Sequence, residues 1–322
     1  MAKRLPVLSE PMQATPIYEL SQKYADNRVF IKRDDLVPFS FGGNKARKAR
    51  LFYQDIIQKN IDVIVTYGSS KSNHCRIISN MAAAMGLECH IISSQENYEE
   101  CANSKMISSF GAQIETCPVH EVSRVIDETL DALKKEGKHP YFIMGGGHGN
   151  FGTAAYVTAY QEILRYEKEE HRIFDYIFFA SGTGTTQAGL VCGKLIEQMD
   201  PLNKEYCRGK IIGISISREK GKGYDIVKNS IKDYLKEQTL SVEEVISDEL
   251  IFIDDYRRGG YGIHDQHVSD LIDQVMCQEG IPMDKTYVGK AFCGMQDYLN
   301  EHAIKDSNVL FIHTGGTPLY FD

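Results

Sequence analysis

Tyr176-Ile177-Phe178-Phe179-Ala180-Ser181-Gly182-Thr183-Gly184-Thr185-Thr186-Gln187-Ala188-Gly189-Leu190 decides the fold class. Residues 176–180 form an apolar run without polar alternation, the pattern of a strand covered on both faces. A turn rich in glycine and hydroxyl groups follows at once and opens a helical segment. The same rhythm recurs along the chain. Strand-like runs stand at 29–32, 62–66, 88–92, 113–116 and 141–144 before it, and at 211–215, 250–253 and 309–312 after it. Amphipathic stretches of helical length lie between them, at 46–58, 77–85, 121–135, 152–165 and 264–277. Apolar strands alternating with helices specify an α/β fold, here two doubly wound, mostly parallel sheet domains.

Ahead of the strand at Val29, a leader ending in Ala14-Thr15-Pro16 reads as loop, and a short helix is predicted after it. No long Pro- or Ser-rich linker separates two halves, so the second lobe is predicted to be an insertion. Residues 1–47 and 160–322 are assigned to a large domain and residues 48–159 to a small one.

The 322 residues carry a net charge of -8 and no extended Lys/Arg block. That balance argues against a nucleic-acid or membrane-surface partner and for a small-molecule ligand. No apolar run reaches membrane-spanning length, and Met1-Ala2-Lys3-Arg4-Leu5-Pro6 lacks the apolar core of a leader peptide, so a cytoplasmic chain is expected. The eight cysteines form no Cys-x-x-Cys pair and no Cys/His cluster. They read as free thiols, mostly core residues, and no metal site is predicted.

Chemistry-bearing residues fall at the turns after strands, where ligands bind in such sheets. Phe41-Gly42-Gly43-Asn44-Lys45-Ala46-Arg47-Lys48 follows the strand at Val29 and opens a helix that Asn44 could cap. A lysine here, desolvated beside Arg47 and Lys48, can lose its proton and form a Schiff base, whereas the same string in solvent is only a basic helix start. Gly68-Ser69-Ser70-Lys71-Ser72-Asn73-His74 offers helix N-terminal amides to a carboxylate, although Ser72 or Asn73 could equally cap the helix. Gly182 to Thr186 read as a phosphate cradle of amides, hydroxyls and helix dipole, with a plain tight turn as the other reading. The segment has neither the Gly-Lys-Ser/Thr of a Walker loop nor a dinucleotide fingerprint. Gly145-Gly146-Gly147-His148 is a third turn, with His148 either an acid/base group or a solvated loop residue. Tyr261 and Tyr287 lie in glycine-flanked segments near the C-terminus, before His313-Thr314-Gly315-Gly316.

In this order the segments resemble the pyridoxal-phosphate enzymes of fold type II, tryptophan synthase β-like, in the branch holding D-cysteine desulfhydrase and 1-aminocyclopropane-1-carboxylate deaminase. The similarity runs from Ile31-Lys32-Arg33-Asp34-Asp35-Leu36 to His313-Thr314-Gly315-Gly316. It implies that Lys45 holds the cofactor covalently and that Lys48 with Gly182, Thr183, Gly184, Thr185 and Thr186 binds its phosphate. Asn73 would meet the ring 3-oxygen and Thr314 the pyridine nitrogen. Ser72 and neighbouring amides would take the substrate carboxylate, with His74, His148, Tyr261 and Tyr287 facing a small amino-acid substrate. The implied activity is a lyase reaction, β-elimination from a β-substituted alanine to a keto acid and ammonia, carried out by a homodimer. Ring-opening deamination, β-replacement, or cofactor binding without turnover are the alternatives. His74 matches the desulfhydrase side. Val288 departs from both, since deaminases carry glutamate there and desulfhydrases threonine, and His148 and Lys285-Thr286 are also unusual.

Overall fold

The computed structural model describes residues 3–97, 99–238 and 248–322, so Met1 and Ala2 of the leader lie outside the described residues. A four-residue helix, α1 (Pro6–Ser9), opens on the φ-fixed Pro6 inside the leader read as loop. The predicted short helix after Pro16 is instead a strand, β1 (Ile17–Glu19). It pairs antiparallel with β2 (Arg28–Lys32), with Ile17 opposite Lys32. Three residues carry no readable period, and pairing with a neighbour fixes their conformation.

From β2 the chain crosses on α2 (Asn44–Ile56) to a second sheet. There it builds β3 (Val63–Tyr67), α3 (Asn73–Met85), β4 (Glu88–Ser94), α4 (Ala102–Ser109), β5 (Gln113–Cys117), α5 (Val122–Lys135) and β6 (Pro140–Ile143). The 20-residue α6 (Asn150–Glu169) returns it to the first sheet. β7 (Tyr176–Ser181), α7 (Thr185–Glu197), β8 (Lys210–Ser215), α8 (Lys220–Glu237) and β9 (Ile251–Ile253) follow. After α9 (Gln266–Glu279) and α10 (Val288–Glu301), β10 (Asn308–Ile312) comes home between β2 and β7.

The first sheet has the order β1-β2-β10-β7-β8-β9 and the second β5-β4-β3-β6. Every pairing is parallel except that of β1. The apolar runs are continuous because alternate residues feed opposite cores. Val29, Ile31, Phe178, Ile212 and Phe311 pack with α9 and α10. Phe30, Ile177, Phe179, Ile211 and Leu310 pack with α6, α7 and α8. In the smaller sheet Ile64 joins α2, α3 and Leu8 of α1, while Val63 and Val65 cover Leu133 of α5. Parallel strands point one way, so their carboxyl ends and the turns after them collect on one side of each sheet.

Candidate active site

The turns at the carboxyl ends of β3, β6, β7, β8 and β10 converge on a cavity of about 680 Å³ between the two sheets. Lys45 lines it from the first turn of α2. The predicted cap is corrected: Gly43 holds the N-cap position with φ 91°, and Asn44 is the first helical residue. Asn44 turns its Nδ2 to Thr186 Oγ1 at 3.1 Å instead of capping. A Cβ on Gly43 would stand 2.7 Å from the Thr314 carbonyl, and the Asn44 amide donates to that same carbonyl at 2.9 Å. The start of α2 is thus stitched to the end of β10.

Lys45 Nζ donates to the Gly146 carbonyl at 3.0 Å. Burial brings its pKa down to about 8, and the Arg218 charge acts in the same direction. The expected second neighbour is corrected too, because Arg47 points away from the cavity into a buried ionic cluster. Its guanidinium grips Asp34 at 2.7 and 2.8 Å and Glu162 at 2.7 Å. Lys32 Nζ donates to Glu162 at 2.6 Å and to Thr15 Oγ1 at 2.8 Å. Tyr156 completes the cluster on Asp34 at 2.7 Å. Lys48 stands one turn on, buried behind the cavity wall, and donates to Thr185 Oγ1 at 2.7 Å. Burial and then the Lys45 charge hold its pKa well below the usual lysine range.

Ser72, Asn73 and His74 line the cavity from the start of α3. Ser72 caps the helix, its Oγ accepting from the Cys75 amide at 3.2 Å. His74 Nε2 meets Thr66 Oγ1 at 2.8 Å, and that hydroxyl donates to the Ile143 carbonyl at 2.7 Å. Thr66 therefore accepts from His74, so the imidazole carries its proton on Nε2. Burial pushes its pKa well below the ordinary value, which keeps the ring neutral.

Gly182, Thr183 and Thr186 line the opposite wall, with Gly184 and Thr185 behind them. The first backbone bond of α7 runs from the Ala188 amide to the Gly184 carbonyl, so the amides of residues 185–187 precede the helix ladder. Gly184 holds φ +96°, a conformation that side-chain-bearing residues rarely adopt. His148 lines the cavity and its Nδ1 meets the Thr183 carbonyl at 3.1 Å. A carbonyl only accepts, so that nitrogen bears the proton, and burial lowers the ring's pKa.

Tyr261 and Tyr287 close the far side. Their hydroxyls lie 2.5 Å apart, and Ser69 Oγ is 3.0 Å from that of Tyr261. Burial raises the pKa of both, so both keep their protons. Two buried groups hold this pair in place. Asp284 accepts from the amides of Thr286, Tyr287 and Val288 at 2.6–3.1 Å, although burial lifts its carboxyl to about 6. Lys290 Nζ donates to the carbonyls of Ile216, Arg257 and Gly260, at 3.2, 3.2 and 2.6 Å, next to Tyr261. Thr314 lines the cavity, whereas Val288 is buried in the α10 core. Lys285 is half-buried and reaches the carbonyl of Asp322 at 3.3 Å.

Arg218 went unnoticed in the sequence. It lines the cavity and donates from Nη1 to the Gly182 carbonyl. Its signal was position: it lies in the turn directly after β8, where the strand-end rule places ligand contacts. Tyr67 and Ser94, at the ends of β3 and β4, line the cavity for the same reason. Among the described residues no carboxylate lines the cavity. An amine, a guanidinium and a helix N-terminus around such a space suit an anionic aldehyde: the amine can condense with the carbonyl while the amides and hydroxyls take the phosphate.

A family model for pyridoxal-phosphate dependent enzymes matches residues 8–315. A D-cysteine desulfhydrase from Serratia proteamaculans (strain 568) is 31% identical, covering 96% of this chain and 93% of its own. The crystal structure of a homologue of 1-aminocyclopropane-1-carboxylate deaminase superposes with TM-score 0.82 at 31% identity, over 95% of this chain and 90% of that one. A hydrogen sulfide-producing enzyme from Fusobacterium nucleatum shares the fold, with TM-score 0.66 at 20% identity over 96% and 87% of the two chains.

Proposed function

The chain belongs to the family of pyridoxal-phosphate dependent enzymes, and from that membership we propose that it is a lyase acting on a small β-substituted amino acid, with a keto acid and ammonia as products. One observation carries the reading. A lysine amine with its pKa lowered to about 8 shares with a glycine- and hydroxyl-rich helix start a cavity that, among the described residues, no carboxylate lines.

Lys45 is the attachment point, Lys48 with Gly182, Thr183, Gly184, Thr185 and Thr186 the phosphate site, Asn73 the partner of the ring oxygen, and Thr314 that of the pyridine nitrogen. When bound, the cofactor supplies an electron sink for the charge developing at the substrate Cα. Ser72 donates its O–H, and the α3 amides their N–H groups, to the substrate carboxylate. Once released, Lys45 Nζ takes the Cα proton, for which a depressed pKa suits it. Tyr261 and Tyr287, protonated and bonded to each other, stand ready to give a proton to the departing β-substituent. Water then converts the eliminated product to keto acid and ammonium, which balances the reaction.

A neutral hydroxyl on Thr314 does not enforce a cationic pyridine nitrogen, since it can donate to a bare nitrogen or accept from a protonated one. The weaker sink favours loss of a good leaving group over cyclopropane opening. The same proposal divides the chain into residues 1–47 with 160–322 and residues 48–159, and places a homodimer in the cytoplasm on the strength of the resemblance. The deciding experiment is a keto acid and ammonia assay across D- and L-alanines bearing β-thiol or β-chloro groups. Steady release from one series supports the lyase, and cofactor binding without release from any of them supports a binding protein.

A further inference from the structure

Asn73 has two ends, and only one suits a ring oxygen that carries negative charge. An amide's N–H₂ donates and its carbonyl repels, so the orientation of this side chain decides whether it helps or harms. The surrounding groups settle that orientation by chemistry. Asn103, on α4 and fully buried, donates from Nδ2 to the Lys71 backbone carbonyl at 2.9 Å. A backbone carbonyl only accepts, so the N–H₂ of Asn103 must face it. The same N–H₂ meets Asn73 Oδ1 at 2.9 Å. Arg76, fully buried and paired with no carboxylate among the described residues, adds a second donor to that oxygen from Nη2 at 3.4 Å. A guanidinium has no acceptor to offer. Turning Asn73 over would set its own N–H₂ against donors on both sides.

We infer that Asn103 and Arg76 are positioning residues, holding the Asn73 amide so that its N–H groups face the cavity and its carbonyl faces inward. The inference rests on the reading of Asn73 as the ring-oxygen partner. Consistent with it, Asn73 Nδ2 meets no acceptor among the described residues. It lies against the glycine turn after β10, where a Cβ on Gly316 would stand 3.4 Å away. The arrangement was hidden in the sequence because Asn103 is 30 residues from Asn73 and meets it only when α4 packs on α3.

The test uses Asn103→Asp, read by titrating apoprotein with pyridoxal phosphate and by following the colour of the bound cofactor with pH. The new carboxylate would face two oxygens in place of a donor, which leaves only the long Arg76 contact to hold the Asn73 carbonyl inward and draws the Asn73 N–H₂ toward the carboxylate, away from the cavity. We expect cofactor affinity to fall by roughly ten- to hundredfold, the worth of one hydrogen bond to a charged group. The pH of the colour change should move upward, because losing a donor to an anionic oxygen favours its protonated form. In an Asn73→Ala background the same substitution should do nothing further. Asn103→Leu, which removes the donor without adding charge, should show the same dependence on Asn73 and serves if the aspartate variant does not fold. Wild-type affinity and colour in Asn103→Asp, or effects that add fully to those of Asn73→Ala, overturn the inference. If Asn73→Ala alone changes neither readout, the reading of Asn73 beneath it is what fails.

Discussion

Lys45 carries the most direct test at the scale of one residue. Alanine suits a first helical turn, and Lys45 lines a cavity without plugging a core. We therefore expect Lys45→Ala to fold with a melting temperature close to that of the wild type while losing covalent cofactor and turnover. Borohydride reduction followed by peptide mapping of the wild type should place the label on Lys45, and a label on another lysine would refute the assignment. The cradle gives a graded pair. Gly184→Asp adds a carboxylate beside the expected phosphate at φ +96°, with Ile226 only 2.9 Å from its Cβ, so cofactor affinity and thermal stability should both drop. Thr185→Ala acts through Lys48, whose ammonium loses its hydroxyl acceptor. It should cost ~1.5–3 kcal/mol of cofactor binding and less than the aspartate.

Among elements, the contact between α6 and α7 is set by glycine. A Cβ on Gly189 would fall 2.3 Å from the Thr153 carbonyl, and one on Gly193 would fall 2.6 Å from Tyr160 Cβ. Backbone and ring roots cannot yield as a flexible side-chain tip would, so Gly189→Ala should destabilise by about 1–3 kcal/mol despite alanine's higher helix propensity. Urea unfolding measures it. The ionic cluster joins β2, α2 and α6, and Glu162→Gln should cost about 3–5 kcal/mol by leaving Arg47 and Lys32 short of a buried counter-charge. Burial pushes the Asp34 carboxyl up, but Arg47 and Lys32 outweigh it and hold it at about 2, against 3.8 for a free side chain. A carboxylate lowered in this way gives stability that is complete above about pH 4 and lost as pH falls toward 2, worth ~2 kcal/mol. Urea midpoints between pH 5 and 2 should follow that slope in the wild type and flatten in Asp34→Asn.

Across the whole molecule, the chemistry should favour elimination. With Thr314 facing the cavity and Val288 in the core, kcat/KM for a thiol- or chloride-bearing alanine should greatly exceed that for 1-aminocyclopropane-1-carboxylate. Comparable values would mean that the pyridine nitrogen is protonated after all. The α/β alternation was legible because strands buried on both faces spell themselves as apolar runs, and the turns after them could be searched for ligands. β1 was misread because three residues hold no period. Arg47 was misplaced because sequence adjacency to Lys45 says nothing of direction: two positions along a helix are about 200° apart around its axis, so the two side chains look different ways. Arg218 could have been found from its place in the turn after β8, whereas Asn103 becomes visible only when distant segments meet. The ionic cluster has one further consequence. Its members come from positions 15, 32, 34, 47, 156 and 162, so the helices that leave and re-enter the first sheet are bolted to that sheet at one point. Because α2 also packs on the second sheet around Ile64, the bolt ties both cores to one helix, and calorimetry should record a single endotherm whose van't Hoff and calorimetric enthalpies agree.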